Sequence, residues 1–290
     1  MKRILLTGSN GFVGQHVACL AGAMPNVSLK GCSAKPNIHN YCRFFEQIDF
    51  VCQRITPVLL QGYDAVIHTA ALSHVDYCHA NRKEAFLVNV EASRQLAEAC
   101  KETGTHLVFV SSDFVMEGVD KLVHENEPAN PVNYYGRTKE MAEMVIQNIL
   151  PQATIVRPVL IFGNTLAGTR SNLVLWVKSS LGQGKAIRVT ENNFRTATYV
   201  QDLAELLINM ALNPRSGIYH ASGSSYLSIY QMALCVARHF QLPEHLISPV
   251  HSSVVDVVPR PPCTHFSSEK AVEHYGFKSR SFEDALSQMD

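Results

Sequence analysis

Thr7-Gly8-Ser9-Asn10-Gly11-Phe12-Val13-Gly14 follows the apolar run Ile4-Leu5-Leu6 and leads into helical patterning over 11–21. Strand, glycine-rich turn and helix in that order are what phosphate binding requires. Glycine lets the backbone turn tightly and approach a pyrophosphate, whose charge is favoured by the free N–H groups at a helix start. Gly8, Asn10, Gly11, Phe12, Val13 and Gly14 are therefore the expected cradle of a dinucleotide. The alternation continues outward. Val27-Ser28-Leu29, Ala65-Val66-Ile67, Leu107-Val108-Phe109-Val110 and Thr154-Ile155-Val156 read as strands buried on both faces, with helices over 84–100 and 135–149. This predicts an α/β fold with a Rossmann-type, doubly wound parallel sheet. After Pro158 come a loop at 163–168 and helices over 172–181 and 200–212; five prolines from Pro243 to Pro262 then break the chain into short elements. The expected division is a cofactor-binding domain of residues 1–160, to which roughly 194–215 returns, and a smaller substrate-binding lobe of 161–193 and 216–290.

The bulk composition narrows the function. At 290 residues, with 46% hydrophobic and 17% charged residues and a formal net charge of zero, the chain can bury a real core. It offers no electrostatic reason to bind nucleic acid or an acidic membrane surface. Its 8 cysteines form no Cys-x-x-Cys pair and sit in apolar segments, which points to reduced thiols and the cytoplasm. Lys2-Arg3-Ile4-Leu5-Leu6 begins like a signal peptide, but Thr7-Gly8 ends the apolar run, and no later segment has the length of a membrane span.

Tyr135 and Lys139 carry the chemistry. Among the 10 tyrosines, Tyr135 is the one with lysine four positions later, a spacing that shares one helix face. A cation there is expected to lower the phenol's pKa toward a useful acid–base range. Ser111 and Ser112 follow a buried strand at the edge where such sheets bind ligands, and a hydroxyl there can polarise a carbonyl. The end of the second strand should read the adenosine ribose. It holds Ser33 and Lys35, and no acid precedes Glu46, so a 2′-phosphate is favoured: NADP, with NAD as the alternative. Asp49 is the candidate for adenine, and Ala70 and Ala71 for the channel wall. His74-Val75-Asp76-Tyr77-Cys78-His79 has ligand-type residues, but its spacing fits no common metal site, and no metal is expected.

Thr7 to Gly14, Ala70-Ala71, Ser111-Ser112-Asp113-Phe114-Val115, Tyr135-Gly136-Arg137-Thr138-Lys139 and Arg157-Pro158 together resemble the extended short-chain dehydrogenase/reductases. Within these the chain is most similar to the dTDP-4-dehydrorhamnose reductase group. The resemblance implies that Ser112 orients a keto group, Tyr135 donates a proton, and Lys139 holds the nicotinamide ribose. It also implies that Asn89 and Pro158 lie by the cofactor, and that Arg195 and Arg260 grip the pyrophosphate of a nucleotide-sugar substrate. Where that group carries a glutamate after the last glycine, this chain has Gln15-His16, which puts the group's magnesium site in doubt.

An oxidoreductase acting on the keto group of a small molecule, a nucleotide-sugar, is the leading expectation, and a homodimer is compatible with it. Dehydratases similar in fold place Asp-Glu after the active-site hydroxyl residue; here Asp113 is followed by Phe114, which disfavours dehydration and leaves epimerisation open. A reading from another class is a non-catalytic NADP-binding subunit, since the regulatory subunit of methionine adenosyltransferase is similar to the same reductases.

Overall fold

In the computed structural model, which describes residues 1–168, 171–255 and 257–289, the apolar runs become parallel strands. In chain order these are β1 (Lys2–Thr7), β2 (Val27–Ser33), β3 (Phe44–Gln47), β4 (Ala65–His68), β5 (His106–Val110), the short β6 (Leu122–Val123) and β7 (Thr154–Pro158). After them come β8 (Ile187–Thr190), β9 (Phe194–Arg195), β10 (Gly217–Ala221), β11 (Leu227–Ser228), β12 (Ile247–Val250) and β13 (Cys263–Phe266). The main sheet runs β10-β7-β5-β4-β1-β2-β3 with every pairing parallel. The chain winds outward from β1 to β3, then returns beside β1 and winds the other way. The carboxyl ends of β1 and β4 therefore open a crevice at the point where the strand order reverses.

Side chains alternate across each strand, so Ile4 and Leu6 face one layer and Leu5 the other. The first layer holds α1 (Phe12–Gly22), and the second holds the helices Ala92–Thr103 and Tyr134–Ile149. A helical stretch expected over 84–100 is three pieces in line: α3 (Arg82–Phe86), a π turn (Leu87–Glu91) and α4 (Ala92–Thr103), preceded by α2 (Val75–Ala80). Gly104 ends α4 at φ +71°. Then come α5 (Tyr134–Ile149), α6 (Leu173–Gly182), α7 (Val200–Leu212) and α8 (Ile229–His239). α7 packs with α1 on the first layer through Leu203, Leu207 and Met210. The remaining strands form β11-β9-β13-β6 and β12-β8, beside an apolar cluster built from Val174, Val177, Val189, Met232, Val236 and Phe282.

One part of the expected division needs correction. Residues 217–221 lie in the stretch assigned to the second lobe, yet they form β10 of the main sheet, and Ala271 and Tyr275 from the helix Glu269–Tyr275 join that sheet's core. The polar residue His220 hid the strand, because burial is achieved by stacking its ring on Phe266 at 3.9 Å rather than by an apolar run. β3 was hidden for the opposite reason: it is an edge strand whose residues are mostly exposed.

Gly14 sits where α1 crosses the Gly8 turn, and a Cβ there would overlap the Gly8 carbonyl. Gly14→Ala is expected to cost at least about 2 kcal/mol of stability, read as a lower urea midpoint with unchanged slope.

Candidate active site

The glycine turn is shaped by contact with β4. Gly8 has φ +70°, and a Cβ on it would lie 2.6 Å from the Ala70 nitrogen, so the β1 and β4 ends meet backbone to backbone. The Gly11 N–H closes the turn on the Gly8 carbonyl at 2.8 Å. No side chain caps α1 and its first turn carries no acid, which leaves its N–H groups to a ligand. A dinucleotide pyrophosphate fits that cradle. Asn10 turns away from it: its Nδ2 donates to the carbonyls of Lys35 (3.2 Å) and Pro36 (2.8 Å), bracing the loop after β2. Ser33 ends β2, and Glu46 on the adjoining β3 is engaged by Lys30 at 2.5 Å. Asp49 turns its carboxylate back on the Val51 N–H at 2.9 Å and lines neither part of the cleft described below. Gln15 and His16 tie α1 to the carbonyls of Ala167 and Asn164, a bracing role in place of the group's glutamate.

The cleft has an inner part of about 360 Å³, with Gly11 to Gly14, Ala71, Ser112, Tyr135, Lys139 and Pro158 on its walls. Phe12, Ala71, Leu160 and Ile161 also line an outer part of about 800 Å³ that reaches Asn10, Lys35, His74 and Tyr77. Leu160 holds φ +28°, an uncommon value for leucine, where the chain leaves β7 to form this wall. His74 Nδ1 accepts the Tyr77 N–H at 3.2 Å and caps α2.

Asn133 caps α5 by accepting the Gly136 N–H at 2.9 Å, which sets Tyr135 and Lys139 in the first turns. Gly136 lies against the Phe114 carbonyl with no room for a Cβ, so the Tyr135 ring packs edge-on to Phe114 at 5.7 Å. The Ser112 hydroxyl accepts from the Phe114 N–H (3.2 Å) and donates to Asp113 (3.1 Å). Lys139 is buried, with Nζ donating to the Val110 carbonyl at 2.7 Å and lying 4.2 Å from the centre of the Phe109 ring.

Here one expectation fails. Burial pushes the Tyr135 phenol above its ordinary range, opposed by the neighbouring Ser112 hydroxyl. Burial also pulls Lys139 down to about 7, opposed by the charge of Glu143. In this geometry the ammonium is committed to Val110, and desolvation outweighs attraction for both groups.

Asn89 stands off the cleft. Its Oδ1 accepts the Leu72 N–H (2.8 Å), and its Nδ2 donates to the Leu72 carbonyl (3.0 Å) and Thr138 Oγ1 (2.9 Å), locking the loop after β4 to α5. The arginines are engaged by groups of the protein itself. Arg195 is 4% exposed and donates to the carbonyls of Phe194, Pro261 and Pro262, with Nε 3.8 Å from Asp113. It lines no part of the cleft, so its charge serves the interior rather than a substrate. Arg260 reaches Asp76 at 3.2 Å and the Val258 carbonyl, bridging α2 to the segment whose Val258 packs in one cluster with Tyr135. Sequence reasoning missed Glu143, which accepts bonds from Ser111 and Arg157; its signal was an acid one further helical turn beyond Lys139.

Arg195→Ala would leave Asp113 buried without its cation and remove a donor from three carbonyls, of which that of Pro262 still accepts from the Phe194 N–H. Its expected effect is a loss of about 3–5 kcal/mol in urea unfolding, far beyond a change in Michaelis constant alone. A stable variant with only weakened substrate binding would reverse this assignment.

The fold is shared with proteins of known structure. A family model described as the RmlD substrate binding domain matches residues 1–289. Methionine adenosyltransferase 2 subunit beta of Xenopus tropicalis is 28% identical over 270 residues, covering 90% of this chain and 78% of that protein. The spore coat polysaccharide biosynthesis protein SpsK of Bacillus subtilis is 28% identical over 224 residues, 77% of each. Among solved structures, a dTDP-4-dehydrorhamnose reductase of Clostridium acetobutylicum superposes with a TM-score of 0.87 at 21% identity, covering 99% of this chain and 98% of that one. The Bacillus anthracis reductase, solved with NADP, gives 0.84 at 22% identity, covering 100% and 98%. With the family model spanning almost every residue, the chain belongs to the RmlD substrate-binding domain family.

Proposed function

We propose that this protein is a cytoplasmic NADP-dependent reductase of a keto group on a nucleotide-sugar. The observation that carries the reading is that Ser112, Tyr135 and Lys139 line one cleft with the glycine cradle. A nicotinamide dinucleotide bound in that cradle supplies the hydride. Tyr135, held protonated at neutral pH by burial, gives its proton to the substrate oxygen. Ser112 turns its hydroxyl from Asp113 toward that oxygen and holds it. Lys139 stands one turn behind Tyr135 to hold the ribose and to oppose the charge left on the phenol. Lys35 in the outer cleft, with no acid in the first 45 residues, supports NADP over NAD. No helix among the described residues is long and apolar enough to cross a membrane.

A second reading, a cofactor-binding regulatory subunit, is favoured by the likeness to methionine adenosyltransferase 2 subunit beta over 90% of the chain. The two part on turnover. A panel of 4-keto nucleotide-sugars with NADPH is expected to give loss of nicotinamide absorbance with at least one member; tight NADP binding with no turnover, together with co-purification of a larger enzyme, would favour the subunit.

Tyr135→Phe should lower kcat by at least ~10²-fold and leave NADPH affinity within a factor of about two, because it removes the proton donor and keeps the ring. Retained activity would refute the mechanism. NADPH should bind more tightly than NADH by titration, and Lys35→Ala should narrow the gap.

A further inference from the structure

Beneath the cleft floor lies a buried cluster that the mechanism above does not use. Glu143 and Arg157 have side chains only 4% and 3% exposed, and they pair in two places: Nη2 to Oε2 at 2.6 Å and Nε to Oε1 at 3.0 Å. Ser111 donates its hydroxyl to the same Oε1. These three residues come from α5, β7 and the end of β5, so the carboxylate ties the helix to two neighbouring strands. Glu143 lies four residues after Lys139 on α5, and Ser111 follows Val110, whose carbonyl holds the Lys139 ammonium at 2.7 Å. The tether and the lysine's anchor thus share one stretch of backbone.

We propose that Glu143, fixed between Ser111 and Arg157, is a positioning residue that supplies the countercharge for the buried Lys139 ammonium. This rests on the reductase reading for its catalytic meaning. A buried ammonium needs an opposite charge to remain ionised, and the surroundings of Lys139 offer few. On β5 it meets the Phe109 ring and the Val110 carbonyl. On β4 it faces His68, which burial pushes down to about 3 and so leaves neutral. On α2 it faces the Cys78 thiol, which burial pushes up to about 11 and so leaves uncharged at neutral pH. Tyr135 on its own helix keeps its proton. The full charge among these groups that favours the ammonium is Glu143, which is itself paired with Arg157.

The sign follows. Glu143 raises the proton affinity of Lys139, so removing its charge makes the lysine lose its proton at lower pH. In full-length protein carrying ε-¹³C-lysine, with the resonance assigned by Lys139→Met, Glu143→Gln should lower the Lys139 titration midpoint by at least about one pH unit, whereas Glu143→Asp should stay close to wild type. Glu143→Gln leaves Arg157 unpaired and can fail to fold; Glu143→Gln combined with Arg157→Gln removes both buried charges and should still lower the midpoint. Turnover at pH 8 should fall about tenfold in the charge-free variants and recover as the pH is lowered. An unchanged midpoint in the folded variants would overturn the proposal. The resonance needs no sugar substrate, so a lowered midpoint with no turnover in any variant would sink the reductase reading and keep the countercharge.

Discussion

Gly8 against Ala70 is the contact that the site is built around. The carboxyl ends of β1 and β4 must meet backbone to backbone before a crevice exists at the reversal of strand order, and a side chain on residue 8 would separate them. Gly14 carries the constraint onward by letting α1 cross the same turn, which aims the helix start into the cleft. Without those two absences of a side chain, the N–H groups of α1 would point past the space that Ser112 and Tyr135 line.

A chain of buried polar groups extends that constraint from the cradle to α5. Ser93 donates its hydroxyl to the Asn89 carbonyl at 2.8 Å, so toward His68 it is an acceptor, and His68 Nε2 carries the proton across 3.1 Å. His68 Nδ1 then accepts from Thr7, at the end of β1. Asn89 continues to Thr138 on α5. Each member is satisfied, which is the condition under which a buried polar network specifies a geometry instead of costing stability. Burial of His68 keeps it neutral, which spares nearby Lys139 a second positive charge.

The parts legible in the sequence were those governed by local rules. The strand, glycine turn and helix at Ile4 to Gly14, and the four-residue spacing of Tyr135 and Lys139, declare themselves because backbone sterics and helical period act over a few residues. What stayed hidden depends on partners distant in the chain. Arg195 looks like a substrate contact until Asp113 and the carbonyls of Pro261 and Pro262, brought in by β13, take up its donors. Asn89 looks like a cofactor contact until Leu72 and Thr138 engage its amide. β10 breaks the apolar rule because His220 finds Phe266 to stack on. Where an arginine or asparagine ends up is a question of tertiary geometry, and residue type alone leaves it open.

The same dependence decides the electrostatics of the pair that sequence spacing singles out. Spacing alone argues that Lys139 should draw the proton from Tyr135, since the two share a helix face. Burial reverses the balance, because each charged form must give up water, and the phenol and the ammonium are pushed toward their neutral states together. That outcome suits the proposed reduction better than the expected one: an acid that must deliver a proton is most useful while it still holds it. The neighbouring ammonium matters after transfer, when negative charge appears on the phenol in a site too dry to screen it. In the proposed reaction a cation of nearly balanced protonation then favours the product of proton transfer over the reactant, which would match this cleft to donating rather than accepting a proton.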